Sequence, residues 1–205
     1  MFKLEHGRSA YVADFVLYGV AVCALSAYLL AETPRTHGLE VALLVIGGLT
    51  AWPVVEYAMH RYLLHSVQPF SGWHLRHHER PTARICTPTI LSASLIGTLV
   101  FLPAWGLSDL WGGAGLTLGI VTGYLMYGIT HHAVHHWRAD SEWLKRRTRW
   151  HALHHHVGTS ACFGVTTSFL DQAAGSVVRR RGPIPNDPMP ITPYSIRPPN
   201  TGSRI

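Results

Sequence analysis

Four long apolar runs constrain this chain before anything else does. Residues 11–31, 38–59, 87–107 and 110–130 are each long enough to cross about 30 Å of hydrocarbon as a helix, and few charges interrupt them. A segment in lipid must satisfy its own backbone N–H and C=O groups, which makes a helix the form such runs take. The 205 residues are 47 % apolar with a mean hydropathy of +0.13, unlike most soluble domains. The first run starts too late and is too long for a cleavable signal peptide, and no small-residue cleavage site follows it, so it counts as structure.

Orientation follows from Lys and Arg near the span ends. Lys3 and Arg8 precede the first span, and Arg61, Arg76, Arg80 and Arg84 lie between the second and third. Every basic residue from Arg138 onward follows the fourth, and only Arg35 falls on the other side. Both termini and the central loop are therefore expected in the cytosol, of a bacterial inner membrane or an endoplasmic reticulum protein. The net charge of +6 then describes a basic skirt facing the membrane and gives no sign of a nucleic-acid partner. Cys23, Cys86 and Cys162 have no paired spacing and read as packing residues.

Two domains of unequal character are expected. Residues 1–181 form the membrane-embedded unit, and 182–205 form a Pro-rich extended tail with little apolar periodicity. Within the first unit, 140–150 ("DSEWLKRRTRW") reads as a short helix with Trp143, Leu144 and Trp150 beside four basic residues. That composition favours contact with the headgroup layer. The alternative is a solvated charged helix whose apolar side rests on its own protein.

Histidine placement is the second constraint. Thirteen of the fifteen histidines fall in "HRYLLH", "HLRHH", "HHAVHH" and "HALHHH", leaving only His6 and His37 apart. His74, His77 and His78 stand at i, i+3 and i+4, as do His151, His154 and His155, so each triplet shares one helical face. His60 and His65 are five apart, a spacing that needs a bend after Met59 to bring the rings together. Two spans separate His78 from His131, so the chain crosses and returns, and all four clusters end on one membrane face.

Neutral imidazole suits zinc, copper, iron and nickel. About ten such nitrogens exceed what one ion holds, and two ions are the natural count. The expected fold class is therefore an all-α integral membrane protein, four transmembrane helices with a cytosolic histidine-rich cap holding a di-metal site. Ligating rings pass their other N–H to carboxylates or carbonyls, and Glu56, Glu79, Asp140 and Asp171 are the candidates. Glu56 is the most telling, one turn before His60 inside an apolar span.

These motifs, with "WHLRHHE", "YGITHHAVHH", "WHALHHH" and "CFGVTTSFLD", resemble the fatty acid hydroxylase superfamily of sterol desaturases, fatty acid 2-hydroxylases and carotenoid hydroxylases. The likeness runs from about Trp52 to Asp171. It implies a di-iron membrane oxygenase, with zinc able to occupy the site on isolation, that hydroxylates an unactivated C–H bond of a membrane lipid. Carried across by resemblance, the ligands are His60, His65, His74, His77, His78, His131, His135, His151, His154 and His155. The resemblance also implies a separate electron donor of cytochrome or ferredoxin type, since no fused cytochrome domain lies in these residues.

"YGITHHAVHH" and "FGVTTSFLD" look like fatty acid 2-hydroxylases and select His131 with His135. The short gap in "HRYLLHSVQPFSGWHLRHHERP" looks like carotenoid hydroxylases, whose spacing selects His131 with His136. Hydroxylation at the 2-position of a fatty acyl chain leads. A carotenoid ring hydroxylase, a sterol or lipid desaturase, and a metal-binding or transport protein are the alternatives.

Overall fold

A computed structural model describes residues 5, 7–85, 87–156 and 161–178. The Pro-rich tail expected over 182–205 lies outside the described residues. Within them the chain is helical, and the single β-pairing is an isolated bridge between Glu5 and Ile85. The first span is α1 (Arg8–Glu32) and the second begins as α2 (Gly38–Ala58). After α2 the backbone widens into a π-helical segment, Met59–Leu64, and a short helix, α3 (Phe70–Glu79), follows. The third span is one rod built from α4 (Thr89–Ile96), a second π segment (Gly97–Phe101) and α5 (Leu102–Leu107). The fourth is α6 (Leu110–His136), and α7 (Glu142–His156) and α8 (Phe169–Ala173) close the order.

All four expected spans form, the second and fourth running longer than their apolar runs: Gly38–Leu64 and Leu110–His136 each cover 27 residues. The excess in each case is the histidine-bearing end, which continues the helix past the apolar run. Large apolar side chains coat the outside; Leu30 and Leu107 are 88 % and 90 % exposed, which suits a lipid-facing surface and no aqueous one. The protein is thus a multi-pass membrane protein.

α6 is the axis of the bundle because its sequence lets backbones approach. Asp109 caps it, accepting a hydrogen bond from Gly112 N at 2.7 Å. Glycines then recur every four residues, at 115, 119 and 123. A Cβ on Gly119 would collide with Val45 O and Gly48 Cα of α2, and one on Gly123 would collide with the Trp52 side chain. Small residues at this spacing are how membrane helices gain packing where no hydrophobic effect drives them together. On the other flank, Tyr18 of α1 meets Tyr124 edge-on with centroids 4.7 Å apart and shares a 2.7 Å hydrogen bond with Ser92 of α4.

The second π segment has a local cause. Pro103 offers no N–H and its ring crowds the carbonyl four residues earlier, and a widened turn at 97–101 accommodates both. At one end of the bundle, His37 lies 3.5 Å from Asp109, closing the two short connections together. The opposite end carries the start of α1, the π segment after α2, the start of α4 and the end of α6. There Arg80 pairs with Glu5 at 2.6 Å, and all four histidine clusters collect.

Candidate metal centre

Ten rings gather into two groups of five. His60, His65, His74, His78 and His154 form the first, and His77, His131, His135, His151 and His155 form the second; within each, one nitrogen per ring lies within 4.8 Å of all the others. All ten residues singled out in the sequence are therefore brought together. His132, His136 and His156 fall in neither group.

The groups are built to one plan. Each takes a pair from a span end (His60 with His65, or His131 with His135) and an i, i+4 pair from one outer helix (His74 with His78 on α3, or His151 with His155 on α7). The fifth ring comes from the other outer helix, His154 for the first group and His77 for the second. The i+3 histidine of each triplet thus crosses to the neighbouring group, although each triplet shares one helical face. His78 and His155 stack across the boundary with centroids 4.2 Å apart.

No bend is needed after Met59. A π-helix bonds i to i+5, so residues five apart return to one face. His60 lies in such a segment and His65 directly follows it, with their rings stacked, centroids 5.3 Å apart. On α6 the ordinary α period does the same for His131 and His135, four apart, with Tyr127 stacked on His131 at 5.6 Å. His136 points about 100° away, is exposed, and stacks instead on His132. The Tyr11 hydroxyl in turn hydrogen-bonds His132 Nδ1 at 3.1 Å.

The ring nitrogens face one another as ligands do. His60 Nδ1–H donates to the Phe163 carbonyl at 2.5 Å and His154 Nδ1–H to the Ala161 carbonyl at 2.8 Å. A carbonyl only accepts, so these rings carry their proton on Nδ1 and present a bare Nε2 inward. Nε2 of His60 then lies 2.9 Å from that of His74, and Nε2 of His154 lies 3.1 Å from that of His65. In the second group the matching contacts are His131 with His77 at 3.1 Å, His135 with His151 at 2.8 Å and His155 with His151 at 3.0 Å. Imidazoles bound to one ion at about 2.0–2.1 Å and about 90° apart bring their nitrogens about 2.9 Å apart. The donor set and its spacing fit a transition metal in each group.

Burial keeps the rings neutral, as ligation requires. Outside the spans, burial first and neighbouring rings second hold His65 down to about 4 and His77 and His78 to about 3. His74 and His155 are lowered further by the same causes.

The four carboxylate candidates divide sharply. Asp140 and Glu79 are exposed, and Asp140 only faces Arg138 at 3.4 Å. Glu56 and Asp171 are buried, but neither hydrogen-bonds a ring of either group. Glu56 Oε1 accepts from Val165 N at 2.6 Å and Thr166 N at 3.0 Å, and its Oε2 accepts from the Thr166 hydroxyl at 2.5 Å. Asp171 accepts from Phe163 N, Gly164 N and the Ser176 hydroxyl, each at 2.8 Å, and from the Trp150 indole at 3.2 Å. Together they clamp the segment 161–167 whose carbonyls orient His60 and His154. The carbonyls of Ala161 and Phe163 carry no side-chain signature, so spacing could not have named them. Cys162 is fully buried in this segment and joins neither group, a packing residue as expected, whereas Cys23 is exposed and Cys86 lies outside the described residues.

α7 differs from the favoured reading. Leu144 and Arg147 are buried, Trp150 turns inward to Asp171, and Arg147 donates to Ser168 at 3.2 Å, so its apolar side rests on its own protein. Only Trp143, 55 % exposed, is left to face outward among its large apolar residues.

A cavity of about 670 Å³ opens from the centre into the bundle. Rings of both groups border it, including His60, His74, His131 and His135, and Leu95, Leu99 and Val100 of the third span line it as well. Its lining is mostly apolar, as a slot for hydrocarbon would be.

Comparison with known proteins agrees with this geometry. The pattern of the family described as fatty acid hydroxylase matches residues 45–176. Dihydroceramide fatty acyl 2-hydroxylase FAH2 of Arabidopsis thaliana is 30 % identical over 152 residues, 67 % of this chain and 62 % of that protein. The ceramide very long chain fatty acid hydroxylase scs7 of Schizosaccharomyces pombe is 28 % identical over 183 residues, 80 % and 49 % of the two chains. Human fatty acid 2-hydroxylase is 26 % identical over 136 residues, 60 % and 36 %. The chain thus spans less than two thirds of each of these relatives. A solved structure of full-length scs7p, with only the hydroxylase domain visible, shares the fold with a TM-score of 0.69 at 24 % identity, covering 86 % of this chain and 69 % of that one. With the family pattern covering more than half of its length, the chain belongs to the fatty acid hydroxylase family.

Proposed function

We propose that the protein is a dioxygen-dependent lipid hydroxylase acting at the 2-position of a fatty acyl chain, and that its ten grouped histidines hold two iron ions. The carrying observation is a centre of ten grouped imidazoles that opens onto a mostly apolar cavity among the spans. Iron bound there supplies the redox chemistry that C–H hydroxylation requires and that no side chain of the chain offers; zinc, which binds imidazole as well, has none.

The chain's own residues account for the rest. The apolar slot along Leu95, Leu99 and Val100 admits a hydrocarbon tail from the bilayer and excludes water from the reacting carbon. The centre lies at the bundle end, so a lipid seated tail-inward brings the carbons next to its head group up to the rings. Glu56 and Asp171 fix the 161–167 segment, which keeps the Nε2 atoms of His60 and His154 aimed inward. Electrons come from a separate donor of cytochrome or ferredoxin type, on a face that we read from the basic-residue bias as cytosolic, together with both termini.

Acyl hydroxylation is favoured over carotenoid hydroxylation by one feature of the site. His135 joins the second group and His136 does not, which is the spacing of the fatty acid 2-hydroxylase reading. Lipid analysis of cells with and without the protein tests it. New 2-hydroxyacyl species are the expected result; an oxygenated carotenoid, a desaturated lipid or no change would overturn the assignment.

A further inference from the structure

We propose that a cleft between the π segment of the second span and α3 is the aqueous port of the centre, through which hydrated metal ions reach the first histidine group. The proposal rests on the metal-centre reading above and adds a route and an asymmetry to it.

A second cavity among the described residues touches the centre and differs in kind from the apolar one. The large one lies among the spans and is mostly apolar, so a divalent cation entering along it would have to give up its water. The other, of about 260 Å³, begins where the second span ends; His65 and His78 border it together with Gln68, Ser71, Gly72 and Leu75. Gln68, polar and exposed, lies beyond the end of the second span at Leu64, so the mouth at Gln68 faces the medium. Its volume is many times the roughly 10–15 Å³ that one water occupies.

His65 and His78 join this cleft to the first group. His78 Nε2 lies 3.0 Å from His74 Nε2, and His65 Nε2 lies 3.1 Å from His154 Nε2, so both rings face the group while bordering the cleft. No ring of the second group borders the cleft. Ions in the two groups therefore exchange with the medium at different rates, the first group faster.

Gly72 is the place to test this. A Cβ there meets only the far end of the Gln68 side chain, at 3.1 Å from Oε1, so a larger residue fits by moving that chain and fills the cleft. The purified full chain, loaded with zinc, is mixed with an excess of a chromogenic chelator, and release is followed in time. Two phases of one ion each are expected, and Gly72→Leu slows the faster at least ten-fold while leaving the slower unchanged. Gln68→Ala, which widens the mouth, quickens the faster phase and serves as the deciding variant if Gly72→Leu holds fewer than two ions. A fast phase unchanged in both variants, or both ions leaving the unsubstituted protein at one rate, overturns the port. Failure of the unsubstituted chain to hold any ion would instead overturn the metal-centre reading.

Discussion

Replacing Asp171 by Asn tests whether the buried carboxylate holds the site's scaffold. Oδ1 of Asp171 accepts from Phe163 N and the Ser176 hydroxyl, and Oδ2 accepts from Gly164 N and the Trp150 indole. An asparagine must turn its NH₂ toward one of these pairs. Toward the Oδ2 pair it would face two groups that can only donate. Toward the Oδ1 pair the Ser176 hydroxyl can rotate to accept, leaving one orphan, the Phe163 N–H. The better arrangement still costs about 1–3 kcal/mol for the buried N–H and about 1 kcal/mol for charge-assisted bonds made neutral, so about 3 kcal/mol in all. For a chain of this size that lowers the melting temperature by about 6–12 °C.

The same peptide unit precedes the Phe163 carbonyl that orients His60, so loss of metal from the first group should exceed loss from the second. Glu56→Gln is the internal control, because its Oε2 hydrogen-bonds the Thr166 hydroxyl, which can turn to accept the new NH₂; the cost there is about 1 kcal/mol. Melting in detergent and metal analysis of both variants read the outcome. A shift for Asp171→Asn no larger than that for Glu56→Gln would refute the donor-counting argument.

His135→Ala should remove about one metal ion per chain and abolish product while His136→Ala retains both, since only the former belongs to a group; metal content at equal folded yield checks this, and the reverse pattern moves the protein toward the carotenoid spacing. Gly119→Ala should cost about 2–3 kcal/mol or prevent folding, because its Cβ would overlap Val45 O and lie 2.7 Å from Leu49 N, whereas Gly47→Ala, with nothing within 4 Å, should be neutral in the same melting assay. The metal-free chain should lose stability on acidification. His65, His77 and His78 are held at about 4, 3 and 3 in the fold, so the unfolded chain, titrating near 6.5, binds more protons between those values. Stability then falls as pH drops from about 6.5 toward about 4 and is flat above that window, and a melting temperature unchanged from about pH 7.5 to about pH 5 would exclude it.

The spans and the four histidine clusters were legible in the sequence because each depends on a local property, and the family resemblance then selected ten of the thirteen clustered rings. Apolar length decides whether a segment can sit in hydrocarbon, and the i, i+3, i+4 spacing of His74, His77 and His78 or of His151, His154 and His155 decides which rings share a helical face. Even the choice of His135 over His136 rests on helix periodicity and motif likeness. Partition of the ten rings was not legible. His77 and His154 leave their own triplets for the opposite group, which depends on how α3 and α7 lie across the bundle end. The π turn that unites His60 with His65 was hidden as well, since five-residue spacing has no meaning until the helix widens. Glu56 and Asp171 were visible as costly carboxylates, but their partners, backbone groups of residues 163–166, are about 110 residues away from Glu56 along the chain. The sequence by itself determined the membrane helices and the donor chemistry, because hydrophobicity and imidazole are properties of residues. Only the tertiary structure decided which nitrogens face each other and which carbonyls aim them, because those follow from packing between segments far apart in the chain.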